Sequence, residues 1–319
     1  MVRKRHLSFR HPLTEPMLRV QSAACFAMGK FLRDRGFVEL RAPILSTCTD
    51  PGIRGALAAT TRFYGKEYKL MTSMILHKQM ALTAIKKIFS FSPNVRLEPP
   101  DAAETGRHLA EFTQLDVEAA RFSRAEIMRL AEEMIAGAVK TVKEECEAEL
   151  SVLGRDLRVP KPPFRKLPHS KAVEILKSEG FGVSADKEIP WEAEKVLSES
   201  IRDFFWVIDY PKGSRGFYDR VSDNDSKVLV DFDLMYPEGF GEAISGSERE
   251  HRPAGAREGM LRAGVNPKEY GWYFEMLRSG IPPSAGFGLG IERFTRYLCG
   301  LEKVWQAAAF PKVPGVHSP

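Results

Sequence analysis

Apolar residues at Leu18, Cys25, Met28, Phe31 and Leu32 recur near helical spacing and predict a helix over 16–35, which Gly36 ends. GFVELRAPIL then predicts a strand that stops near Pro43, and TRFYGKEYKLM (61–71) a hairpin turning at Gly65. MILHKQMALTAIKKIF has the pattern of a second helix. Ser123 and Glu126 form a capping box before a long helix that buries Ile127, Leu130, Met134, Val139, Val142 and Cys146. VPKPPFRKLPHS is the proline-rich stretch inside the chain, and a small helical region follows at about 170–200. Strands return afterwards. FFWVIDY is an unbroken apolar run suited to a sheet buried on both faces. KVLVDFDLMY alternates, with Val228, Val230, Phe232 and Leu234 on one face and Asp231 and Asp233 on the other. GEAISGSERE predicts a further strand, and SAGFGLGIERFTRYL a strand running into a helix. Strands gathered at both ends without a βαβ rhythm favour an α+β domain, mainly an antiparallel sheet flanked by helices.

Composition removes whole classes. The chain has 319 residues, 43% hydrophobic and 28% charged, which suits a folded domain with a sizeable core. No apolar run approaches the roughly 18 residues of a spanning helix, and the start MVRKRHLSFRHP lacks the apolar stretch of a secretion signal. Cys25, Cys48, Cys146 and Cys299 lie far apart, which argues against a disulfide framework or zinc cluster and fits a reducing cytoplasm. A net charge of +5 is explained by solubility without a nucleic-acid partner.

Three segments carry candidate chemistry. In the first, Asn94-Val95-Arg96-Leu97-Glu98, a polar loop with Arg107-His108, and Glu111 to Glu118 read as strand, loop, strand. Arginines and a histidine suit phosphates, Phe112 a flat base, and Glu98 an amine or a metal. Taken alone, a hairpin with a solvated charged tip is the plainer reading. In the second, Gly286, Gly288 and Gly290 precede Glu292-Arg293. Alternating glycines let a ligand approach the backbone, or let strands pack tightly. Their spacing is not that of a dinucleotide-binding turn. In the third, Asp231, Asp233 and Glu242 on neighbouring strands can hold Mg²⁺ near phosphates, or simply face solvent.

Together these segments resemble a known family. VRLE…RHLAEFTQLDVE resembles motif 2 of the class II aminoacyl-tRNA synthetases, GFGLGIER motif 3, and RGFVELRAPIL, with Pro43, motif 1. YKLMTSMILHKQ, GEAISGSERE and the final FPKVPGVHSP resemble the aspartyl/asparaginyl branch, with Lys312 where that branch usually has Arg. The resemblance implies a class II synthetase catalytic domain that works on ATP with Mg²⁺. Arg96 would grip the α-phosphate and Arg293 the γ-phosphate, both as catalytic residues. Glu98 would meet the adenine amine, Phe112 would stack on adenine, and Arg107, His108, Gly288 and Gly290 would complete the ATP site. Asp233 and Glu242 would place the metal. Arg249, seven residues after Glu242, and Lys78 would bind a substrate carboxylate, and Asp50, Ser73, Gln114 and Asp116 would line the amino-acid pocket. Ile75 and Asp50 stand where the family usually has Gln and Glu.

Motif 1 begins near residue 37, so the resemblance is to a single catalytic domain over 1–319. A helical insertion is expected at about 160–200, and the anticodon-binding barrel of the full enzymes is not expected. The stand-alone archaeal-type asparagine synthetases of this branch have that form. The expectation is therefore a cytoplasmic, homodimeric ligase that activates L-aspartate with ATP. It would amidate the adenylate with ammonia, giving L-asparagine, AMP and diphosphate, with tRNA not a partner. Val2 stands where a glutamine-dependent enzyme with an N-terminal nucleophile needs Cys, which favours free ammonia. Asp116, Glu118 and Glu242 are candidates to take its proton. The alternatives are a truncated aspartyl or asparaginyl-tRNA synthetase, an aspartyl transferase to another acceptor, and an inactive binding paralogue.

Overall fold

The computed structural model describes residues 2–51, 56–103 and 105–319. Eight strands form the main sheet: β1 (Val38–Glu39), β5 (Lys87–Val95), β6 (Glu111–Ala120), β7 (Arg165–Pro168), β8 (Phe205–Ile208), β9 (Asp231–Met235), β10 (Glu242–Glu248) and β11 (Ser284–Gly290). Their order is β1-β5-β6-β11-β10-β9-β8-β7. The five inner pairings are antiparallel, and one parallel pairing closes each edge. A small sheet holds β2 (Leu45–Ser46), β3 (Thr60–Phe63) and β4 (Lys66–Leu70) in the order β2-β4-β3. The α+β expectation of a mainly antiparallel sheet flanked by helices therefore describes the fold.

The pleat of the sheet decides what becomes core and what becomes site. Leu115, Val117 and Ala119 of β6, Phe232 and Leu234 of β9, and Ala285, Phe287 and Leu289 of β11 share one core. It is closed by apolar residues of the Thr14–Asp34 and Arg124–Glu145 helices. The intervening residues of the same strands must face the other way. These are Gln114, Asp116 and Glu118, then Asp231 and Asp233, then the three glycines. The second helix starts as its sequence dictates: the Ser123 side chain accepts from the Glu126 N–H, and the Glu126 side chain accepts from the Ser123 N–H. The hairpin turns through Tyr64 and Gly65, both at positive φ.

Several expectations are corrected. The helix after Met74 covers only Ile75–Ala81, and Lys87-Ile88-Phe89 opens β5 instead of ending a helix. Nine-residue pairing of β5 with β6 outweighs the local helical pattern. GFVELRAPIL is not one strand. Val38–Glu39 joins the main sheet and Leu45–Ser46 the small one, with Pro43, which has no N–H to donate, between them. Val228 and Val230 precede β9, which begins only at Asp231. The region at 160–200 is not purely helical either. Its Arg165–Pro168 strand is the edge of the main sheet, and the His169–Ser178 and Trp191–Ser200 helices pack beside it. Among the described residues, no helix is long and apolar enough to cross a membrane.

Candidate active site

One cavity lies over the polar face of the main sheet. Its wall includes Asp50, Ser73, Lys78, Arg96, Glu98, Arg107, His108, Phe112, Gln114, Asp116, Glu242, Arg249, Gly288, Gly290 and Arg293, which is every site residue expected from sequence except Asp233 and the proton-acceptor candidate Glu118. Residues spread over some 240 positions converge because successive strands of one sheet present the same face.

The floor is a buried ionic network. Lys78 Nζ lies 2.8 Å from Asp116 and 3.5 Å from Glu118, and donates to the Phe287 carbonyl at 3.2 Å. Arg249 Nε meets Glu118 at 3.1 Å, and its Nη1 meets Asp219 at 3.3 Å and the Ser247 hydroxyl at 2.8 Å. Burial works against the Arg249 charge, but Glu118 and Asp219 outweigh it and raise its pKa. Arg249 is thus held charged in a water-poor site, where an ionic substrate group is recognised strongly.

The glycines of β11 have a more specific role than the one expected from sequence. In register, Gly286 faces Glu118 and Gly290 faces Gln114. A Cβ on Gly286 would overlap the Glu118 carboxylate and the Val117 carbonyl, and one on Gly288 would overlap the Gln114 amide. The vacated space is therefore filled by the protein's own β6 side chains, which cross over β11: Glu118 stays buried and Gln114 reaches the cavity wall. Gly286→Ala is expected to cost about 1–3 kcal/mol or more, since a backbone carbonyl cannot yield. Urea unfolding would show it, and an unchanged midpoint would count against the crossing.

The opposite end is cationic. Arg96 Nε donates to the Thr72 carbonyl at 3.1 Å, and its guanidinium lies 5.1 Å from the Phe112 ring centre. Phe112 thus has a cation on one side already. Arg293 lies 3.5 Å from Glu242 and donates to the Arg107 carbonyl at 3.5 Å. His108 Nδ1 is 2.8 Å from the Thr105 hydroxyl. Arg296, which the sequence reading did not select, has its pKa lowered to about 10 by burial and then by Arg107 and Arg293. Clustered arginines of this kind need anionic company.

Asp233 departs from its expected place. It is absent from the cavity wall and is held by the Arg215 guanidinium, which also lies 2.7 Å from Glu188 and 3.7 Å from Asp231. Burial raises the Asp233 pKa, Arg215 opposes this and Glu242 adds to it. Two carboxylates in mutual repulsion suit a divalent cation. Among the described residues, no group of three or more His, Cys, Asp or Glu side chains could hold one. A metal there would draw its remaining ligands from phosphate oxygens and water, as Mg²⁺ does.

The sequence reading also missed Arg215, Asp219, Glu188 and Glu292, all on the cavity wall. Arg215 and Asp219 come from an irregular loop with no periodicity, and the only visible signal was charge beside Gly213, Gly216 and Tyr218. Glu292 adjoins Arg293, and both its oxygens accept from the Thr113 N–H, at 3.0 and 3.1 Å. Burial pushes its pKa up to about 7.

Comparison with known proteins bears on all of this. Residues 1–314 match the family described as tRNA synthetases class II (D, K and N). An asparagine–tRNA ligase from Pyrococcus horikoshii is 33% identical over 313 residues, 97% of this chain and 71% of that protein. An aspartate–tRNA(Asp/Asn) ligase from Sulfurisphaera tokodaii is 31% identical over 313 residues, 98% of this chain and 71% of that one. The crystal structure of asparaginyl-tRNA synthetase from Pyrococcus horikoshii complexed with asparaginyl-adenylate superposes with a TM-score of 0.92 at 31% identity, covering 100% of this chain and 73% of that one. These relatives overturn two expectations. An ammonia-dependent asparagine synthetase is contradicted by relatives named as tRNA ligases along nearly the whole chain, and so is the exclusion of tRNA as a partner. The inference from chain length and modest net charge failed because neither quantity identifies the group that receives the acyl unit. The alternative of an aspartyl or asparaginyl-tRNA synthetase fits these relatives better.

Proposed function

The chain belongs to the class II tRNA synthetases of the D, K and N kind, and from that premise we propose that it joins asparagine or aspartate to tRNA through an aminoacyl-adenylate. One observation carries the reading: a single cavity joins the Arg96–Arg293 end to the Lys78–Arg249 floor. ATP would occupy the first and the amino-acid side chain the second.

In this mechanism the α-carboxylate of the amino acid attacks the α-phosphorus of ATP. The bond from that phosphorus to the bridging oxygen breaks, and pyrophosphate leaves with the electron pair. Arg96 stabilises the charge that builds on the α-phosphoryl oxygens, while Arg293 and Arg107 hold the outer phosphates. Phe112 and Glu98 orient the adenine. Asp50, Ser73, Gln114 and Asp116 take the α-ammonium side. Asp233 and Glu242 would hold Mg²⁺, which would neutralise phosphate charge. A terminal tRNA hydroxyl then attacks the acyl carbon, and AMP leaves.

Two further features belong to the same proposal. Residues 1–319 act as a single catalytic domain with the 160–200 region inserted, a reading supported by the pairing of that region's strand with β8. The chain also forms a homodimer. Phe26 on the Thr14–Asp34 helix is 68% exposed, and Val38 and Ile44 just after it are exposed too, a concentration of apolar surface suited to a second copy. Light scattering at micromolar concentration is expected to give about twice 35.9 kDa. A monomeric mass would count against the dimer.

The direct test is isotopic exchange between pyrophosphate and ATP with each amino acid in turn, followed by charging of bulk tRNA. Exchange dependent on asparagine or aspartate, and acid-precipitable label on tRNA, are the expected results. ADP as product, or exchange with neither amino acid, would sink the reading.

A further inference from the structure

The inserted region reaches the cationic end of the cavity through a residue with no role so far. Glu194 lies in the first turn of the Trp191–Ser200 helix and is 1% exposed. It lies 2.7 Å from Arg107 Nη1, a bond between two buried side chains far apart in sequence. Arg107 itself is 6% exposed, on the cavity wall, and its Nε and Nη2 have no hydrogen-bond partner among the described residues. Gly241, at positive φ, lies against the same guanidinium, so that a Cβ there would come within 3.4 Å of it.

A buried guanidinium with one nitrogen tied and two unsatisfied is costly unless an anion completes it. Among the described residues, one carboxylate meets this guanidinium. The remaining N–H groups are fixed in a planar fork of the geometry that phosphate oxygens accept. We propose that Glu194 is a positioning residue for the nucleotide: it anchors Arg107 so that its two unpartnered nitrogens meet the outer phosphates of ATP. The inserted region is thereby part of the ATP site. Glu188, from the same region, ties Arg215 at 2.7 Å in parallel fashion. This rests on the ATP reading above, and the experiment separates the two.

ATP and AMP binding would be measured by calorimetry on the full chain for wild type, Glu194→Gln, Glu194→Asp, Arg107→Ala and the Glu194→Gln/Arg107→Ala pair. Glu194→Gln is expected to weaken ATP about tenfold or more, the scale of a charge-assisted hydrogen bond, and to leave AMP within about twofold. AMP lacks the outer phosphates, so a general loss of packing would weaken both ligands. In the Arg107→Ala background, Glu194→Gln should add less than about twofold, because the pair acts as a unit. Glu194→Asp keeps the charge with a shorter reach and should lie between wild type and Glu194→Gln. If Glu194→Gln fails to fold, Glu194→Asp with the AMP control still decides. ATP weakened by Arg107→Ala but not by either Glu194 variant overturns the inference and leaves the ATP reading standing. Wild type that binds no ATP overturns both.

Discussion

Arg96→Ala is expected to lower the rate of amino-acid-dependent pyrophosphate exchange at least about 10²-fold, the scale of losing one donor aimed at developing charge. The effect should fall mainly on kcat, since under the proposed reading the ground state of ATP would retain Arg293, Arg107 and the adenine contacts. Arg96 is well suited to this task because it is not spent elsewhere in the fold. Among the described residues it makes one hydrogen bond, to the Thr72 carbonyl, and rests near the Phe112 ring, with no buried carboxylate neutralising its fork. Arg249, by contrast, is tied to two carboxylates. Arg96→Lys retains charge but loses the planar fork, and should recover little of the rate. The variant should unfold at nearly the wild-type urea concentration, because Arg96 is only partly buried and anchors no core contact. A rate within about threefold of wild type would remove Arg96 from the chemistry.

How far such a site could be read from sequence depended on where each residue lies. Residues on regular strands were legible. Alternation placed Asp231 and Asp233 opposite Phe232 and Leu234, as the pleat does, and Glu111 to Glu118 read as the strand it is. The capping box at Ser123 was legible for the same reason, being a purely local pattern. Residues whose role depends on distant partners were not. Nothing local distinguishes Lys87-Ile88-Phe89 as strand rather than helix, because the pairing that decides it is with β6. Nor could the sequence reveal that Gly286 and Gly288 clear room for Glu118 and Gln114, since that needs the register of β11 on β6. Arg215 was invisible because an irregular loop carries no period, and only the fold brings it to Asp233. The acceptor was misjudged for a different reason. The proposed adenylate chemistry has a sequence signature in the arginines and carboxylates, but the residues that would receive the third substrate have none of comparable strength.

Arg249→Ala is expected to have the larger combined effect, on specificity and on stability together. Its guanidinium is 4% exposed and neutralises Glu118 and Asp219 at once. Removing it leaves both carboxylates buried, with Lys78 3.5 Å from Glu118 and Arg215 acting on Asp219 as the remaining cations. Breaking a buried pair by truncating one partner typically costs about 3–5 kcal/mol, so the urea midpoint should fall clearly. Activity should fall further. If Arg249 also receives the side chain of asparagine or aspartate, kcat/KM for the amino acid should drop by about 10³-fold, the equivalent of about 4 kcal/mol. ATP affinity should change little, because the proposed place of the outer phosphates is the other end of the cavity. Arg249→Lys separates the two roles. A lysine restores a cation beside Glu118 and should recover much of the stability. It cannot present two parallel N–H groups to a planar carboxylate or amide, so the amino-acid KM should stay high. Recovery of both stability and amino-acid KM in Arg249→Lys would show that Arg249 supplies charge alone, and substrate recognition would then have to be assigned to Lys78.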